Sequence, residues 1–413
     1  MAVADTIRPR LARVRAGSVL LGPAFVAAIA YVDPGNVASN VSAGAQFGYL
    51  LVWVIVAANL MAGLVQYLSA KLGLVTGMSL PEALRERMPR GGRLAFWAQA
   101  ELVAMATDLA EVVGGAIALN LLFGLPLLDG GVITGVVSMV LLLVQDKRGQ
   151  RPFERVITGL LAVIAVGFLA SLFVAPPSPS GIVNGLVPRF SGTESVLLAA
   201  AMLGATVMPH AVYLHSGLAR DRHGHQTGSR LAKLLRVTRF DVALAMLLAG
   251  AVNLSMILLA ATNLQGIPGV DSIAGAHGAV GGTLGAGVAL LFAIGLLASG
   301  LASTSVGAYA GAMIMQGLLR KRIPLLLRRL VTLLPAIVVL AAGADPSRAL
   351  VVSQVVLSFG IPFALIPLVK LTSDRSLMGG DANHRMTSVV AWAIAAVIVT
   401  LNIALIYLTF VGD

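Results

Sequence analysis

The stretch Asp33-Pro34-Gly35-Asn36 interrupts an apolar segment in the first half of the chain, and Met208-Pro209-His210 interrupts another in the second half. Proline removes a backbone hydrogen-bond donor and glycine adds conformational freedom, so each stretch predicts a break in a helix. In membrane hydrocarbon, freed backbone groups are tolerated only where they are buried in protein or line a wet cavity. Both breaks are therefore expected in the interior of a helical bundle.

The composition is that of a membrane protein. Of the 413 residues, 58% are hydrophobic and 11% are charged, too few charges to cover a water-soluble surface. Apolar blocks of about 20 residues recur, the length of a helix that crosses a bilayer. They predict an all-α polytopic fold with eleven spans, near residues 18–42, 47–70, 95–121, 130–145, 156–175, 195–218, 241–262, 282–318, 330–344, 349–369 and 387–411. Cysteine is absent, which excludes disulfides and thiolate metal sites.

The positions of the basic residues test this topology. If the N-terminus is cytoplasmic, all 29 Lys and Arg residues except Arg189 and Arg348 fall in cytoplasmic connections. Cytoplasmic loops of membrane proteins are rich in Lys and Arg. The net charge of +11 therefore reflects topology and does not indicate nucleic-acid binding, because it is spread over several short loops. We expect a cytoplasmic tail at 1–15, one transmembrane domain at 16–413 and an extracytoplasmic C-terminus.

An internal repeat relates the two breaks. Repeat one covers about 16–175, repeat two covers about 195–369, and an extra helix follows at 387–411. Five spans per repeat is an odd number, so the second repeat enters the membrane from the opposite side. Each proline alone could mark an ordinary kink, but interruptions at corresponding positions of two halves point to a midplane site in a secondary transporter.

Asp33 and Asn36 are the candidate ligands on the first break. An Asp at the membrane midplane costs at least about 2.5 kcal/mol, so Asp33 is expected to meet a cation or a proton. Alternatively it caps the second half-helix, and the two roles are compatible. Asn36 supplies an amide oxygen three residues later, where it faces the same point.

Met208 is the informative residue on the second break. A thioether beside a carboxylate suits a transition metal better than Ca²⁺ or Mg²⁺, although methionine also packs in apolar cores. Pro209 is expected to free the carbonyl of Ala205, four residues earlier. His210 and His215 are five residues apart, which separates them around a helix, so we assign them to a proton path or to packing.

Span three carries Glu101, Asp108 and Glu111, whose offsets of seven and three place them along one stripe. Three carboxylates on one membrane helix are costly unless they face water or bind protons, so the stripe predicts a proton relay. The alternative is a set of charge pairs with Arg328 and Arg329 at the start of span nine. The two interpretations are compatible.

Around both breaks the sequence resembles the NRAMP family, specifically its bacterial proton-coupled manganese transporters. The resemblance covers nearly the whole chain. It is carried by Asp33-Pro34-Gly35-Asn36, Ala58-Asn59-Leu60-Met61, Leu68-Ser69-Ala70-Lys71-Leu72-Gly73, Ala106-Thr107-Asp108-Leu109-Ala110-Glu111, Met208-Pro209-His210-Ala211-Val212-Tyr213-Leu214-His215-Ser216 and Ser353-Gln354-Val355-Val356-Leu357-Ser358-Phe359.

The resemblance implies a leucine-transporter-type fold, with two inverted repeats of five helices and discontinuous helices 1 and 6. It implies metal ligation by Asp33, Asn36, the Ala205 carbonyl and Met208, with Gln354 joining in some conformations. It also implies a proton route through Asp33, Asp108, Glu111, Arg328 and Arg329, with Glu101 and His210 nearby. One departure is Leu301, where the family usually has glutamine, so no polar side-chain contact is expected there.

These features together predict a proton-coupled importer of Mn²⁺ and similar ions such as Fe²⁺, working by alternating access in a bacterial inner membrane. It is expected to be no enzyme and to hold no resident cofactor. Its expected partners are lipid, the metal ion and protons, without nucleic acid or an obligatory protein partner. A Mg²⁺ transporter of the same family is disfavoured by Met208, since that branch lacks the methionine. A sodium-coupled amino-acid carrier is disfavoured because Asp33 would repel the substrate carboxylate.

Overall fold

The computed structural model describes residues 22–148, 150–270, 272–321 and 323–411, and their regular secondary structure is helical. The predicted N-terminal tail at 1–15 lies outside the described residues. The α-helices are α1 (Pro23–Ile29), α2 (Pro34–Phe47), α3 (Val52–Thr76), α4 (Leu80–Arg87), α5 (Arg90–Phe123), α6 (Leu127–Arg148), α7 (Gln150–Val174), α8 (Pro179–Gly185), α9 (Gly192–Thr206), α10 (Pro209–His223), α11 (Gly228–Asn263), α12 (Ile273–Leu284), α13 (Ala286–Leu319), α14 (Leu325–Ala341), α15 (Pro346–Ser373), α16 (Arg375–Met378) and α17 (Arg385–Val411).

Eight segments of the described chain are long and apolar enough to cross a membrane, when α9 and α10 are taken together as one. The predicted first, fourth and ninth spans are not among these eight. They correspond to the broken pair α1–α2, to α6, which is apolar over Leu127–Leu143, and to the 17-residue α14. The all-helical membrane fold is confirmed, whereas the count of eleven spans stays a prediction.

Both predicted helix breaks are confirmed. α1 ends at Ile29 and α2 begins at Pro34, while α9 ends at Thr206 and α10 begins at Pro209. In each case proline occupies the first position of the second half-helix, where its missing N–H costs no intrahelical hydrogen bond. Each proline therefore interrupts the span and also begins its second half-helix.

The predicted connections contain four short helices that the hydropathy pattern did not indicate: α4, α8, α12 and α16. α4 is marked by a capping box between Ser79 and Glu82, a signal that was present in the sequence. The predicted start of span eight at residue 282 is wrong. Gly285, with φ of 92°, separates α12 from α13, so the long helix begins at Ala286.

The connections predicted to be cytoplasmic come together on one side of the bundle. We call this side, which includes Lys71, Arg87 and Arg220, the basic face. Arg87 pairs with Asp374 at 2.8 Å, and Lys71 donates a hydrogen bond to Asn383 at 3.0 Å. Arg220 pairs with Glu82, so α10 and α4 also meet on this face. These contacts join segments far apart in sequence, as expected if the basic loops share one membrane surface.

Glycines permit close helix crossings, and Gly44 is one of these positions. A Cβ atom at this position would lie 2.5 Å from the carbonyl oxygen of Ile257 and 2.7 Å from Cβ of Ala260, so α2 packs backbone to backbone on α11. Small residues at such crossings let membrane helices approach closely. This crossing holds the second half of the first broken helix in place.

Gly44→Ala is expected to lower the free energy of unfolding by about 1–3 kcal/mol, as overpacking of a close contact does. The measurement is the thermal unfolding midpoint in detergent, followed by tryptophan fluorescence. Gly159→Ala is the matched control, because a Cβ at Gly159 meets no atom within 4 Å. Equal midpoints for the two variants would contradict the role given to the crossing.

Candidate metal site and carboxylate stripe

The fully buried Asp33 is the N-cap residue of α2. Its Oδ1 accepts hydrogen bonds from the backbone N–H of Asn36 at 2.7 Å and from Asn36 Nδ2 at 2.9 Å. Capping, the alternative role left open by the sequence, is therefore present. Its Oδ2 has no hydrogen-bond partner among the described residues, although it is buried. One carboxylate oxygen holds the helix and the other remains available.

Asn36 joins the two breaks. Its Nδ2 donates to Asp33 Oδ1 on one side and to the Ala205 carbonyl oxygen, at 3.1 Å, on the other. The Ala205 carbonyl lies four residues before Pro209, which has no N–H to offer it. Two oxygen acceptors thus converge on one donor atom, a point where positive charge is favoured. Asn36 Oδ1 is buried and has no hydrogen-bond partner within the described chain.

Met208 forms the junction of the second break. It is the N-cap residue of α10, with extended backbone angles, and it is fully buried. Its side chain belongs to the main apolar core, so the packing role considered above is present. Its backbone position, three residues after Ala205, places it beside the carbonyl that contacts Asn36. Ligation by its thioether stays a prediction.

Gln354 reaches the same region from α15. A Cβ at Gly35 would collide with the Gln354 side chain, and a Cβ at Gly204 would lie 3.0 Å from the backbone N of Ser358 on α15. These two glycines let α15 approach both broken helices at once. Gln354 Oε1 is buried and makes no hydrogen bond to any described residue. The glutamine that only the family resemblance indicated therefore lies against the first break.

Buried polar atoms without partners gather at the junction of the two breaks. Three buried oxygen atoms from Asp33, Asn36 and Gln354 lack partners among the described residues, and a buried polar atom without a partner is costly. No group of three or more His, Cys, Asp or Glu side chains gathers as a metal site in the described part of the chain. Metal ligation by these residues stays a prediction.

Two further residues support the first break and were not indicated by the sequence. Asn253 of α11 donates to the Tyr31 carbonyl at 2.7 Å, and Ser299 of α13 donates to the Val32 carbonyl at 2.6 Å. The last carbonyls of a helix have no partner within it. The available signal was a polar residue in an otherwise apolar span, which is weak because serine and asparagine occur in many membrane helices.

The carboxylate stripe on α5 meets two arginines from α14. Arg329 is fully buried and pairs with Asp108, and it also donates to Thr304 and, at 3.1 Å, to Ser138. The charge pair considered for the stripe is thus present. A buried guanidinium that lost this partner would be strongly destabilising.

A second pair joins the stripe to the basic face. Arg328 donates to Glu101 at 2.7 Å and to the Ala308 carbonyl at 3.4 Å. Glu111 interacts electrostatically with Asp108, Arg329 and Asp33, so it links the stripe to the first break. Acidic groups therefore extend from the metal-site candidates towards the basic face, as a proton relay requires.

The two histidines face different partners, as their spacing predicted. His210 Nδ1 lies 3.4 Å from Thr107 Oγ1 on α5, beside the carboxylate stripe. His215 Nδ1 lies 2.7 Å from Gln66 Oε1 on α3, away from the stripe. His210 is therefore the one that lies beside the carboxylate stripe, and its place on a proton path stays a prediction. Leu301 stands where the family usually has glutamine. Its backbone carbonyl accepts a hydrogen bond from Ser305 at 3.0 Å, and this bond does not involve the Leu301 side chain.

Comparisons with known proteins agree with this geometry. A protein named divalent metal cation transporter MntH, from Mycobacterium tuberculosis strain H37Rv, is 70% identical over 394 residues, which are 95% of this chain and 92% of that protein. The crystal structure of a manganese transporter from Eremococcus coleocola superposes with a TM-score of 0.85 at 33% identity, covering 96% of this chain and 88% of the other.

A more distant structure shows the fold alone. It is a nucleobase-cation-symport-1 family transporter in a closed conformation, with a TM-score of 0.61 at 17% identity, covering 94% of this chain and 89% of the other. The leucine-transporter-type architecture that the family resemblance implied is thus confirmed. Residues 24–408 match the family described as natural resistance-associated macrophage protein-like. The chain belongs to the Nramp family of membrane transporters.

Proposed function

We propose that this protein is a proton-coupled importer of divalent transition metals, with Mn²⁺ as the main substrate and Fe²⁺ as a related one. The observation that carries the proposal is the cluster of buried, unpartnered oxygen atoms from Asp33, Asn36 and Gln354 where the two helix breaks meet. A cation at the junction would satisfy all three. The names of the relatives, which refer to divalent metals and manganese, support the same substrate class.

Asn36 suggests how a metal ion would enter the site. Its amide N–H groups bridge Asp33 Oδ1 and the Ala205 carbonyl oxygen. Turning the amide over would present Oδ1 to a metal ion while freeing those two oxygens for the same ion. Binding would then replace one internal bridge by another, with little movement of the backbone.

Sodium coupling is disfavoured by the end of α1. The Tyr31 and Val32 carbonyls, which face the break, already accept hydrogen bonds from Asn253 and Ser299. Unwound carbonyls of this kind coordinate the coupling ion in sodium-driven transporters. Here both carbonyls already accept hydrogen bonds, whereas Glu111 of α5 keeps one buried oxygen without a partner in the described chain and could carry a proton.

Transport would proceed by alternating access. The ion enters from the extracytoplasmic side, loses most of its water at Asp33, Asn36 and Met208, and leaves on the basic face after the helices rearrange. Protons move through Asp33, Glu111 and the pairs of Asp108 and Glu101 with arginine. Inward movement of a cation gains about 2.3 kcal/mol per charge for each 100 mV of inside-negative potential.

The proposed location is a bacterial inner membrane, with a cytoplasmic N-terminus, a cytoplasmic basic face and an extracytoplasmic C-terminus. The gathering of the basic loops on one side supports this orientation. The transported metal and protons would be the protein's small-molecule partners and lipid its surroundings. We propose neither a resident cofactor nor an obligatory protein partner.

Met208→Ala is expected to reduce discrimination of Mn²⁺ against Ca²⁺ and Mg²⁺ by about tenfold or more, because loss of even a supporting group changes metal affinity by about 10–100-fold. The measurement is Mn²⁺ uptake into proteoliposomes with Ca²⁺ or Mg²⁺ as competitor. Met208→Leu, which keeps the volume without the sulfur, should behave the same way.

The control for the methionine is Met202→Ala. Met202 is fully buried on α9, so its loss opens a similar space without removing a group from the break. It should lower stability but leave ion selectivity unchanged. If Met208→Ala and Met202→Ala discriminate Mn²⁺ from Ca²⁺ and Mg²⁺ equally well, the thioether of Met208 is not a ligand.

Asp108→Asn is expected to reduce Mn²⁺-linked acidification of the vesicle interior by about tenfold or more, the range seen for loss of a proton-transfer group. Mn²⁺ binding by the detergent-purified protein should change much less, because Asp108 lies on the stripe and not at the break. Asp129→Asn, at an exposed position in the first turn of α6, is the matched control. Equal loss of binding and acidification would remove Asp108 from the proton route.

A further inference from the structure

A cavity of about 590 Å³ opens on the basic face, apart from the metal-site candidates. Its walls come from α4, α6, α10, α13 and the segment that leads into α14. The cavity combines charged and apolar walls at the end of the bundle, where lipid headgroups meet the protein. The proposed metal path does not include this space, although Arg328 in its wall also pairs with Glu101 on the proposed proton route.

Three cationic side chains line the cavity: Arg220, Lys321 and Arg328. Arg220 is already neutralised by Glu82 and by Asp221, the two carboxylates in the lining. Partial burial tends to raise the pKa of Glu82, but hydrogen bonds from Ser79 and the charge of Arg220 outweigh it and hold that pKa below its ordinary value. Glu82 is therefore ionised at neutral pH and matched by Arg220.

Lys321 and Arg328 retain capacity to bind an anion. Lys321 is exposed, and no salt bridge is found for it among the described residues. Arg328 is 5% exposed, and its Nε is buried without a hydrogen-bond partner in the described chain, although Nη2 holds Glu101. Buried guanidinium N–H groups normally have an acceptor, so this position favours an oxygen atom from a ligand or from water.

The apolar wall of the cavity continues onto the lipid-facing surface of α14. Ile323 and Leu326 line the cavity and are partly exposed. Further along the helix an exposed apolar stripe follows at helical spacing, formed by Leu327, Leu330, Val331, Leu334 and Val338. An acyl chain that follows this stripe would bring its headgroup to the cavity mouth.

We propose that this cavity binds the headgroup of an anionic phospholipid, with the phosphate between Lys321 and Arg328 and an acyl chain along α14. Basic pockets between membrane helices on the cytoplasmic side recognise anionic headgroups in this way. A free phosphate would use the same two cations but would leave the apolar wall and the α14 stripe uncovered. The lipid therefore accounts for more of the surface than a soluble anion does.

The test is native mass spectrometry of the full chain in detergent, titrated with phosphatidylglycerol or with zwitterionic phosphatidylcholine. Lys321→Gln is expected to weaken phosphatidylglycerol retention about fivefold, the factor for one lysine near an anionic headgroup, and to leave phosphatidylcholine retention unchanged. Lys233→Gln removes the same charge from an exposed site on α11 outside the cavity and should behave like the parent. If Lys321→Gln matches the parent, or if Lys233→Gln weakens retention equally, the proposal is wrong.

Ala312→Phe tests the cavity without changing charge, since Ala312 lines it and a phenyl ring would fill part of it. Reduced phosphatidylglycerol retention with an unchanged thermal midpoint supports the proposal, and unchanged retention overturns it.

Inorganic phosphate tests whether the cavity binds a free anion in place of a lipid. If millimolar phosphate removes the lipid and itself binds in a Lys321-dependent manner, the site takes a free anion and the lipid assignment fails. These readouts do not depend on which metal is transported.

Discussion

The constraint on which the rest of the structure depends is that polar groups inside a membrane must find partners within the protein. Side chains meet three backbone carbonyls near the two breaks. Asn253 and Ser299 donate to those of Tyr31 and Val32, just after α1, while Asn36 donates to that of Ala205. The buried side-chain oxygens of Asp33, Asn36 and Gln354 have no such partner among the described residues.

At the breaks, the hydrogen-bonded atoms of Asp33 and Asn36 support the backbone, whereas their unpaired oxygen atoms are the candidates for function. Asp33 uses one oxygen to cap α2 and leaves the other without a partner, and Asn36 uses its amide nitrogen and leaves its oxygen unpaired. The same two residues therefore stabilise the interruption and hold buried oxygen atoms without partners in the described chain. The cation that we propose for this site would bind by exchanging partners, which suits release as well as capture.

The arginine pair on α14 meets the same constraint for charge. A fully buried Arg329 is tolerable only because Asp108, Ser138 and Thr304 surround its guanidinium, and these come from α5, α6 and α13. Loss of one partner of a buried ion pair typically costs about 3–5 kcal/mol. The cluster thus binds four helices together and places acidic groups in a row. The structural pairing and the proton route that we propose would both depend on this one arrangement.

The sequence by itself determined the membrane class, the two breaks, the gathering of basic loops and most of the candidate residues, because apolar length, proline and isolated charge are local properties. It did not indicate Asn253 and Ser299, the short helix α12 or the cavity beside Arg328. Those depend on which helices lie next to each other, and close approach at Gly35, Gly44 and Gly204 decides that. Tertiary structure also decided which oxygen atoms are satisfied, since hydrogen bonding across helices cannot be read from spacing along one helix.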